Sequence, residues 1–213
     1  MTALQPDVSR RSMATKVIRI TTSIGIALSV WTGLTIAQTP SAFVVKPLVE
    51  KKVSQLPTGP LYWRIENFDA LPQALAAAGD YALAAESGGK VWLFTLGAPG
   101  GATPNGSKVA EVGPIARVEA AQYLLRINEG SGPPGSITAP HSHPGSEAFY
   151  VVAGETSSHT PSGVKRVAAG HSETGHAADT PMQVSSSGTT NLHSLVMFVV
   201  DAARPFSSPA KLP

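Results

Sequence analysis

The sequence predicts an all-β protein in which short strands form a sandwich or a barrel. The chain has 20 Gly and 18 Pro among 213 residues and only 14% charged residues, a composition that favours frequent turns over long helices. From residue 108 onward, short segments rich in β-branched and aromatic residues alternate with turn signals such as Gly-Ser-Gly-Pro-Pro-Gly at 130–135. Many short strands separated by closely spaced turns are typical of sandwiches and barrels.

Eight short strands are predicted in this C-terminal region from their β-branched and aromatic residues. They cover residues 108–112, 120–127, 136–143, 148–152, 157–160, 163–167, 182–186 and 192–200. Before them, the sequence predicts an extended arm, a strand at Leu61–Ile65, a short helix capped by Asp69 and a hairpin that turns at Gly88-Gly89. We expect residues 38–107 to form an extension that packs on the C-terminal region.

Residues 1–37 have the three parts of a secretory signal. A polar start with four basic residues is followed by the uncharged, apolar segment Ile20–Ala37, which ends in small residues suited to cleavage before Gln38. This predicts a bacterial periplasmic or secreted protein that has no membrane segment after cleavage. A retained anchor is the alternative, because 18 residues approach the lower limit of a membrane span. Ser9-Arg10-Arg11 also resembles a twin-arginine export motif, so the export route stays open.

Charge and cysteine content exclude several classes of function. The leader carries a net charge of +3, which leaves a nearly neutral body of net charge −1. A body without a basic excess gives no electrostatic surface for nucleic acid, so no nucleic-acid partner is expected. The chain has no cysteine, which excludes disulfides and thiolate metal sites. All six histidines lie between His141 and His193, and this places any imidazole chemistry in the C-terminal region.

Three residues in this region have the spacing of a metal site. His141 and His143 are two apart, so on a strand both side chains point to one face. Pro144-Gly145 then breaks the strand, and Glu147 begins the next one, which would fold back beside the first. Two imidazoles and one carboxylate on one face are the ligand set of non-haem Fe(II), and Mn, Ni, Cu or Zn can also occupy it.

The same residues carry a family resemblance. Gly135, His141, His143, Glu147 and Gly154 have the spacing of the first cupin motif at every fixed position, and the resemblance extends over residues 108–206. It implies a jelly-roll β-barrel over 108–206, with extra strands and one short helix in the 38–107 extension and a tail at 207–213. It also implies a divalent transition metal held by His141, His143 and Glu147.

The second cupin motif is incomplete in this chain. It normally ends in a histidine that is the last metal ligand, but alignment on Thr180-Pro181 places Met182 at that position. Three alternatives stay open for the fourth ligand: water, His176 from the preceding loop, or the thioether of Met182, which suits soft copper. His193 lies on an apolar strand and is interpreted as a core histidine.

Three functions are consistent with this pattern. The first is a metal-dependent enzyme that acts on a small organic molecule, of the dioxygenase, isomerase or lyase type known for cupins. The second is a barrel that binds a metal or a small ligand without turnover, which the missing fourth ligand favours. The third is a metal-free structural barrel that forms homodimers through its sheets, as many cupins do.

Overall fold

The computed structural model describes residues 42–212, and the predicted signal segment 1–37 lies outside the described residues. Within 42–212 the chain forms fourteen strands and one seven-residue helix. No helix in this described part is long and apolar enough to cross a membrane. The predicted all-β class is therefore confirmed.

The first part of the chain forms β1 and a separate four-stranded sheet. Its elements are β1 (Val44–Val53), β2 (Leu61–Phe68), α1 (Leu71–Ala77), β3 (Ala82–Ser87), β4 (Lys90–Gly97) and β5 (Ser107–Ile115). The antiparallel strands β3, β4, β2 and β5 lie side by side in that order and form the N-terminal sheet. The predicted hairpin is present, with a positive φ at both Gly88 and Gly89. The helix begins after Ala70 and has no side-chain cap, so the predicted capping role of Asp69 is wrong.

The second part of the chain supplies the strands of the barrel. They are β6 (Tyr123–Gly132), β7 (His141–Ser142), β8 (Gly145–Ala153), β9 (Glu155–Thr160), β10 (Gly163–Ala168), β11 (Ser172–Glu173), β12 (Gln183–Ser186), β13 (Leu192–Asp201) and β14 (Ser208–Pro209). Seven of the eight strands predicted from residue 108 onward appear close to their expected positions. The segment 136–143 instead makes isolated bridges at Ile137 and His141 and only the short strand β7.

Strand order identifies the barrel as a jelly roll. The first barrel sheet has the order β1-β6-β13-β8-β11, and the second has the order β10-β9-β12. The segment 136–142 extends the second sheet, because Ile137 bridges Ser185 and His141 bridges Met182. Leaving out β1, the barrel has eight segments in chain order: β6, 136–142, β8, β9, β10, β11, β12 and β13. The first, eighth, third and sixth segments lie side by side in one sheet, and the second, seventh, fourth and fifth lie side by side in the other. Two facing four-stranded sheets joined in this way are the double Greek key of a jelly roll.

The N-terminal sheet covers the outer face of the first barrel sheet. Leu125 and Ile127 of β6 and Tyr150 of β8 share one buried cluster with Trp63 and Trp92 of the N-terminal sheet. The ring centroids of Trp92 and Tyr150 are 6.0 Å apart. The neighbouring side chains on the same barrel strands point to the opposite face, because side chains alternate along a strand. The first barrel sheet is thus apolar on its outer face and free to carry polar groups inside.

Two strands belong to a different part of the fold than the predicted boundary at residue 108, between the N-terminal extension and the barrel, assigned them to. Residues from 108 onward were predicted to belong to the barrel, but β5 pairs with β2 in the N-terminal sheet. In the predicted 38–107 extension, β1 pairs with β6 at the edge of the first barrel sheet. The strands of the barrel proper therefore begin at β6.

A polar cluster joins the N-terminal hairpin to the barrel. The hydroxyl of Ser87 donates a hydrogen bond to Glu129 on β6 and lies 2.8 Å from Nε2 of His193 on β13. Since this hydroxyl gives its proton to Glu129, it accepts one from His193. Gly88 packs directly on the imidazole, where a Cβ would overlap Cε1 of His193. His193 is therefore bound at the sheet junction, as its interpretation as a core histidine requires.

This junction predicts different costs for two adjacent substitutions. Gly88 and Gly89 have φ values of +59° and +72°, so alanine at either position costs about 1–2 kcal/mol of backbone strain. Only a Cβ at Gly88 meets another residue, and Gly89 has nothing within 4 Å. We expect Gly88→Ala to lower the free energy of unfolding by a further ~1–3 kcal/mol relative to Gly89→Ala, because the overlap forces His193 to move. Urea unfolding of the two variants measures this difference, and equal losses would contradict the packing of Gly88 on His193.

Candidate functional site

The barrel encloses a cavity of about 400 Å³ between its two sheets. His141, His143 and Glu147 all line it, so the structure brings the three predicted metal ligands to one space. The remaining walls are mostly apolar and come from β1, β6, β8, β12, β13 and the C-terminal tail; they include Phe43, Val45, Phe149, Val184, Val196, Phe198 and Phe206. Phe149 faces this cavity while its neighbour Tyr150 faces the N-terminal sheet, as expected for adjacent strand residues.

Both histidines are held by main-chain carbonyls through the same ring nitrogen. Nδ1 of His141 lies 2.8 Å from the carbonyl oxygen of Ala139, and Nδ1 of His143 lies 2.6 Å from that of Phe206. A carbonyl only accepts, so Nδ1 carries the proton in each ring and Nε2 keeps its lone pair. A hydrogen bond from the second ring nitrogen is the arrangement that orients metal-binding histidines. Both imidazoles are therefore in the tautomer that a metal needs.

His143 is enclosed by aromatic rings. Its ring centroid is 4.8 Å from that of Phe198 on β13 and 4.8 Å from that of Phe206 in the tail. Burial lowers the pKa of His143 to about 4, because the charged imidazolium would lose its hydration; the hydrogen bond to the Phe206 carbonyl opposes this shift, and the positive charge of Arg126 adds to it. His143 is consequently neutral at physiological pH, which is the state that can bind a cation.

Glu147 is a buried carboxylate without a partner. Its side chain lies on β8 between the two sheets, and Oε1 has no hydrogen-bond partner. Gly175 packs on it so closely that a Cβ there would be 2.7 Å from Cγ of Glu147. Burial raises the pKa of Glu147 to about 8, because nothing nearby compensates the charge of the ionised form. A buried polar atom left without a partner is costly, so its presence requires an explanation.

The three side chains border the cavity without converging on one point. In the part of the chain that the structure describes, 42–212, no three His, Asp or Glu side chains are arranged to hold a metal ion together. The rings of His141 and His143 are close, with centroids 5.0 Å apart and edge to face. Glu147 also borders a second, smaller pocket of about 200 Å³ with Ala116 and His176. The residue types are those of a divalent-metal site, but their positions in this structure do not form one.

The residues considered as a fourth ligand lie in different places. Met182 stands directly opposite His141 on the neighbouring strand, where the two residues exchange backbone hydrogen bonds of 2.9 and 2.8 Å. It thus occupies the strand position that the alignment gave to the last histidine of the family, and its side chain is buried. His176 is directed elsewhere, since its Nε2 lies 2.6 Å from Oγ of Ser158. No protein imidazole from the 176–183 segment therefore faces the cavity.

Two residues of the cavity were missed from the sequence. Arg126 on β6 lines the cavity, and its Cζ lies 4.1 Å from the ring centroid of Phe206. Phe206 belongs to the tail, which β14 attaches to β7 beside His141. Strand alternation could have placed Arg126 on the face opposite Leu125 and Ile127. No sequence signal connects Phe206 with His143, which precedes it by 63 residues.

Comparison with known proteins gives similarities of fold only. No family model matches the chain, and no curated protein matches it. Among solved structures, the DMSP lyase DddQ from Ruegeria pomeroyi is 20% identical over 40% of this chain and 43% of its own, with a TM-score of 0.36. The polyketide cyclase RemF from Streptomyces resistomycificus is 20% identical over 42% of this chain and 62% of its own, with a TM-score of 0.35.

A cupin-like protein from Thermotoga maritima is 13% identical over 41% of this chain and 65% of its own, with a TM-score of 0.37. The chain therefore spans less than two thirds of the length of each of these three proteins. At TM-scores below 0.5, the likenesses carry no argument about what this chain binds or catalyses.

The class of the protein follows from its own strand order and from the position of its motif. The barrel is a jelly roll in which His141 lies on the second of eight segments, His143 in the turn that follows and Glu147 on the third segment, and all three line the cavity. The domain is a single jelly-roll β-barrel with an added N-terminal sheet. The fold that the sequence resemblance implied is confirmed.

The isolated carboxylate predicts an unusual pH dependence in metal-free protein. The pKa of Glu147 is raised from 4.5 to about 8 in the folded protein. Between pH 4.5 and pH 8, the Glu147 carboxyl is therefore mostly ionised in the unfolded chain and mostly protonated in the folded protein. The contribution of Glu147 to the free energy of unfolding is therefore most favourable below pH 4.5, and it becomes steadily less favourable as the pH rises toward 8. We expect Glu147→Gln to differ from the wild type by less than about 1 kcal/mol in free energy of unfolding at pH 5, and to exceed the wild type by roughly a few kcal/mol at pH 8.

Urea unfolding in a chelator between pH 5 and pH 9 measures this difference. Both proteins contain His143 and every other titrating group, so their contributions cancel in the comparison of the two curves. If the difference in free energy of unfolding between the two proteins stays constant with pH, the pKa of Glu147 is not raised in the folded protein and another group stabilises its ionised form.

Proposed function

We propose that this protein is a cupin-type barrel that binds a divalent metal through His141, His143 and Glu147 and holds a small organic molecule in the adjoining cavity. The observation that carries the proposal is the buried, unpartnered carboxylate of Glu147, which borders the same cavity as two imidazoles with available Nε2 atoms. A divalent cation explains this otherwise costly group, because it keeps the carboxylate ionised and paired.

Each ligand has a distinct support from the fold. The Ala139 carbonyl orients His141, and the tail carbonyl of Phe206 orients His143. Glu147 lies on the next strand and must turn from its present position between two pockets. Two imidazoles and a carboxylate admit Fe, Mn, Ni, Cu or Zn, and no sulfur from cysteine is present to select among them. Such an ion supplies Lewis-acid or oxygen-activating chemistry when bound.

The reaction class is not selected by the residues present. Dioxygenase, isomerase and lyase chemistry are all compatible with an apolar cavity bordered by two imidazoles and one carboxyl group. The position of Met182 favours the second candidate function, a barrel that binds without turnover, because a buried thioether stands where the family's last histidine ligand is expected. Oxygen uptake with a panel of phenols and small acids tests the dioxygenase alternative directly.

Metal stoichiometry tests the metal site. We expect the purified full chain, loaded with Zn²⁺, Mn²⁺ or Ni²⁺ and then dialysed, to retain about one ion per chain in native mass spectrometry. His141→Ala and His143→Ala should lose the ion, and Glu147→Gln should weaken binding by about tenfold or more, since each removes a donor. His159→Ala is the matched control, because His159 is exposed on β9 outside the cavity.

Unfolding provides a second readout. A metal that pairs with ionised Glu147 should raise the melting temperature more at pH 8 than at pH 5, since the uncompensated carboxylate is the greater cost at the higher pH. If His143→Ala keeps the wild-type stoichiometry, the ion is bound elsewhere and the proposal is wrong.

We also propose that the chain is exported, as its first 37 residues predict. N-terminal sequencing of the protein from the periplasm of a bacterial host should start at Gln38. Replacing Arg10 and Arg11 by lysine keeps the charge, so it should block twin-arginine export and leave general secretion unchanged. Recovery of the protein only in membranes, with Met1 or Thr2 at its start, would instead show a retained anchor. A homodimer, expected from the family resemblance, stays a prediction.

A further inference from the structure

The cavity contains one permanently charged side chain that the metal site does not use. Arg126 lies on β6 with its side chain toward the cavity and is only 18% exposed. The surrounding walls are mostly aromatic and aliphatic, and they include Phe43, Val45, Phe198 and Phe206. A guanidinium always carries its charge, so an apolar cavity that contains one attracts an anion.

The guanidinium is held in place on two sides. Its Cζ lies 4.1 Å from the ring centroid of Phe206, within the range of a cation–π contact. Its Nε donates a hydrogen bond of 2.9 Å to Oδ1 of Asn128, two residues along the same strand. A planar donor that is fixed before the ligand arrives loses little side-chain entropy on binding. Arg126 therefore has the features of a preorganised anchor.

The remaining donors of Arg126 are incompletely used. Nη1 reaches Oε2 of Glu50 at 3.4 Å, which is long for a charge-assisted hydrogen bond, and Glu50 is 56% exposed. Nη2 has no hydrogen-bond partner among residues 42–212. Two donors on one edge of a guanidinium match the two oxygens of a carboxylate. The carboxylate of a ligand could thus accept hydrogen bonds from both Nη1 and Nη2, whereas Glu50 makes only one long contact, with Nη1.

The chemistry of the walls selects among anions. A phosphate or sulfate is more strongly hydrated than a monocarboxylate and would need more donors than one arginine supplies. An apolar carboxylic acid places its carboxylate on Arg126 and its hydrocarbon part against the phenylalanines. Phe206 contacts both Arg126 and His143, so the other end of such a molecule would lie toward the imidazoles.

We propose that the cavity binds a small aromatic or branched aliphatic monocarboxylate, with Arg126 as the residue that pairs with its carboxylate. The inference rests on the proposed function in taking this cavity as the ligand site. It can be tested without the metal, because the hydrogen bonds of Arg126 are to Asn128 and Glu50 and not to His141, His143 or Glu147.

Paired ligands test the proposal in the metal-free full chain. Benzoate and isovalerate differ from benzamide and isovaleramide in charge but hardly in shape. By calorimetric titration, we expect each acid to bind at least about tenfold more tightly than its amide, in line with a charge-assisted pair. Arg126→Gln should reduce the acid to the affinity of the amide, and Lys165→Gln, which removes an exposed charge on β10, should change neither.

Glu50→Gln gives a test in the opposite direction. It removes the carboxylate that competes for Nη1, so we expect benzoate to bind about threefold more tightly or better while benzamide is unaffected. A damaged fold cannot produce a gain for one ligand of a matched pair, so this variant keeps the proposal falsifiable if Arg126→Gln unfolds.

Three outcomes would overturn the proposal. They are equal affinities for acid and amide in the wild type, an unchanged ratio in Arg126→Gln, and inorganic phosphate that binds as tightly as benzoate. Metal stoichiometry of Arg126→Gln separates this proposal from the preceding one. If the variant keeps its ion but loses the preference for acids, Arg126 acts on the ligand alone; if the wild type prefers acids but holds no metal, only the metal site fails.

Discussion

The packing of the N-terminal sheet on the first barrel sheet is the interaction on which the rest of the structure depends. Leu125 and Ile127 are fully buried against Trp63 and Trp92, so β6 cannot shift by one residue without turning these side chains inward. The same shift would take Arg126 out of the cavity. The position of the polar groups is thus set by an apolar contact on the other face of the sheet, and that contact is made by strands outside the barrel.

The C-terminal tail connects the two functional ends of the cavity. Arg204 pairs with Asp179 through two hydrogen bonds, and β14 pairs with β7, so the tail crosses the barrel next to His141. This places Phe206 where its carbonyl accepts from His143 and its ring lies against Arg126. Phe206 therefore fixes the tautomer of the His143 imidazole through its carbonyl, and its ring packs against the guanidinium of Arg126. The proposed ligand anchor and the proposed metal ligand His143 are consequently supported by the same short segment.

Local patterns were sufficient for the strands, the hairpin at Gly88-Gly89 and the motif that brings His141, His143 and Glu147 to one cavity. The pairing of strands within the sheets was harder to predict. The alternation of residues in a strand indicates which face is buried, but it does not indicate which neighbouring strand or sheet covers that face. For this reason β5 was assigned to the barrel although it pairs with β2. Phe206 was missed for the same cause, since its contact with His143 exists only after the tail has folded back.

Burial shifts the pKa values of His143 and Glu147 in opposite directions, and one ion can reconcile them. Desolvation keeps both groups neutral in the metal-free protein, with an imidazole ready to donate its lone pair and a carboxylic acid that has no partner. A divalent cation uses the first as it stands and stabilises the ionised form of the second. Together with Arg126 and ionised Glu147, such a cation would leave the cavity lining positively charged, and a monocarboxylate would reduce that charge. The proposed metal site and the proposed anion anchor would therefore be complementary, because a bound cation and a bound anion each lower the electrostatic cost of the other.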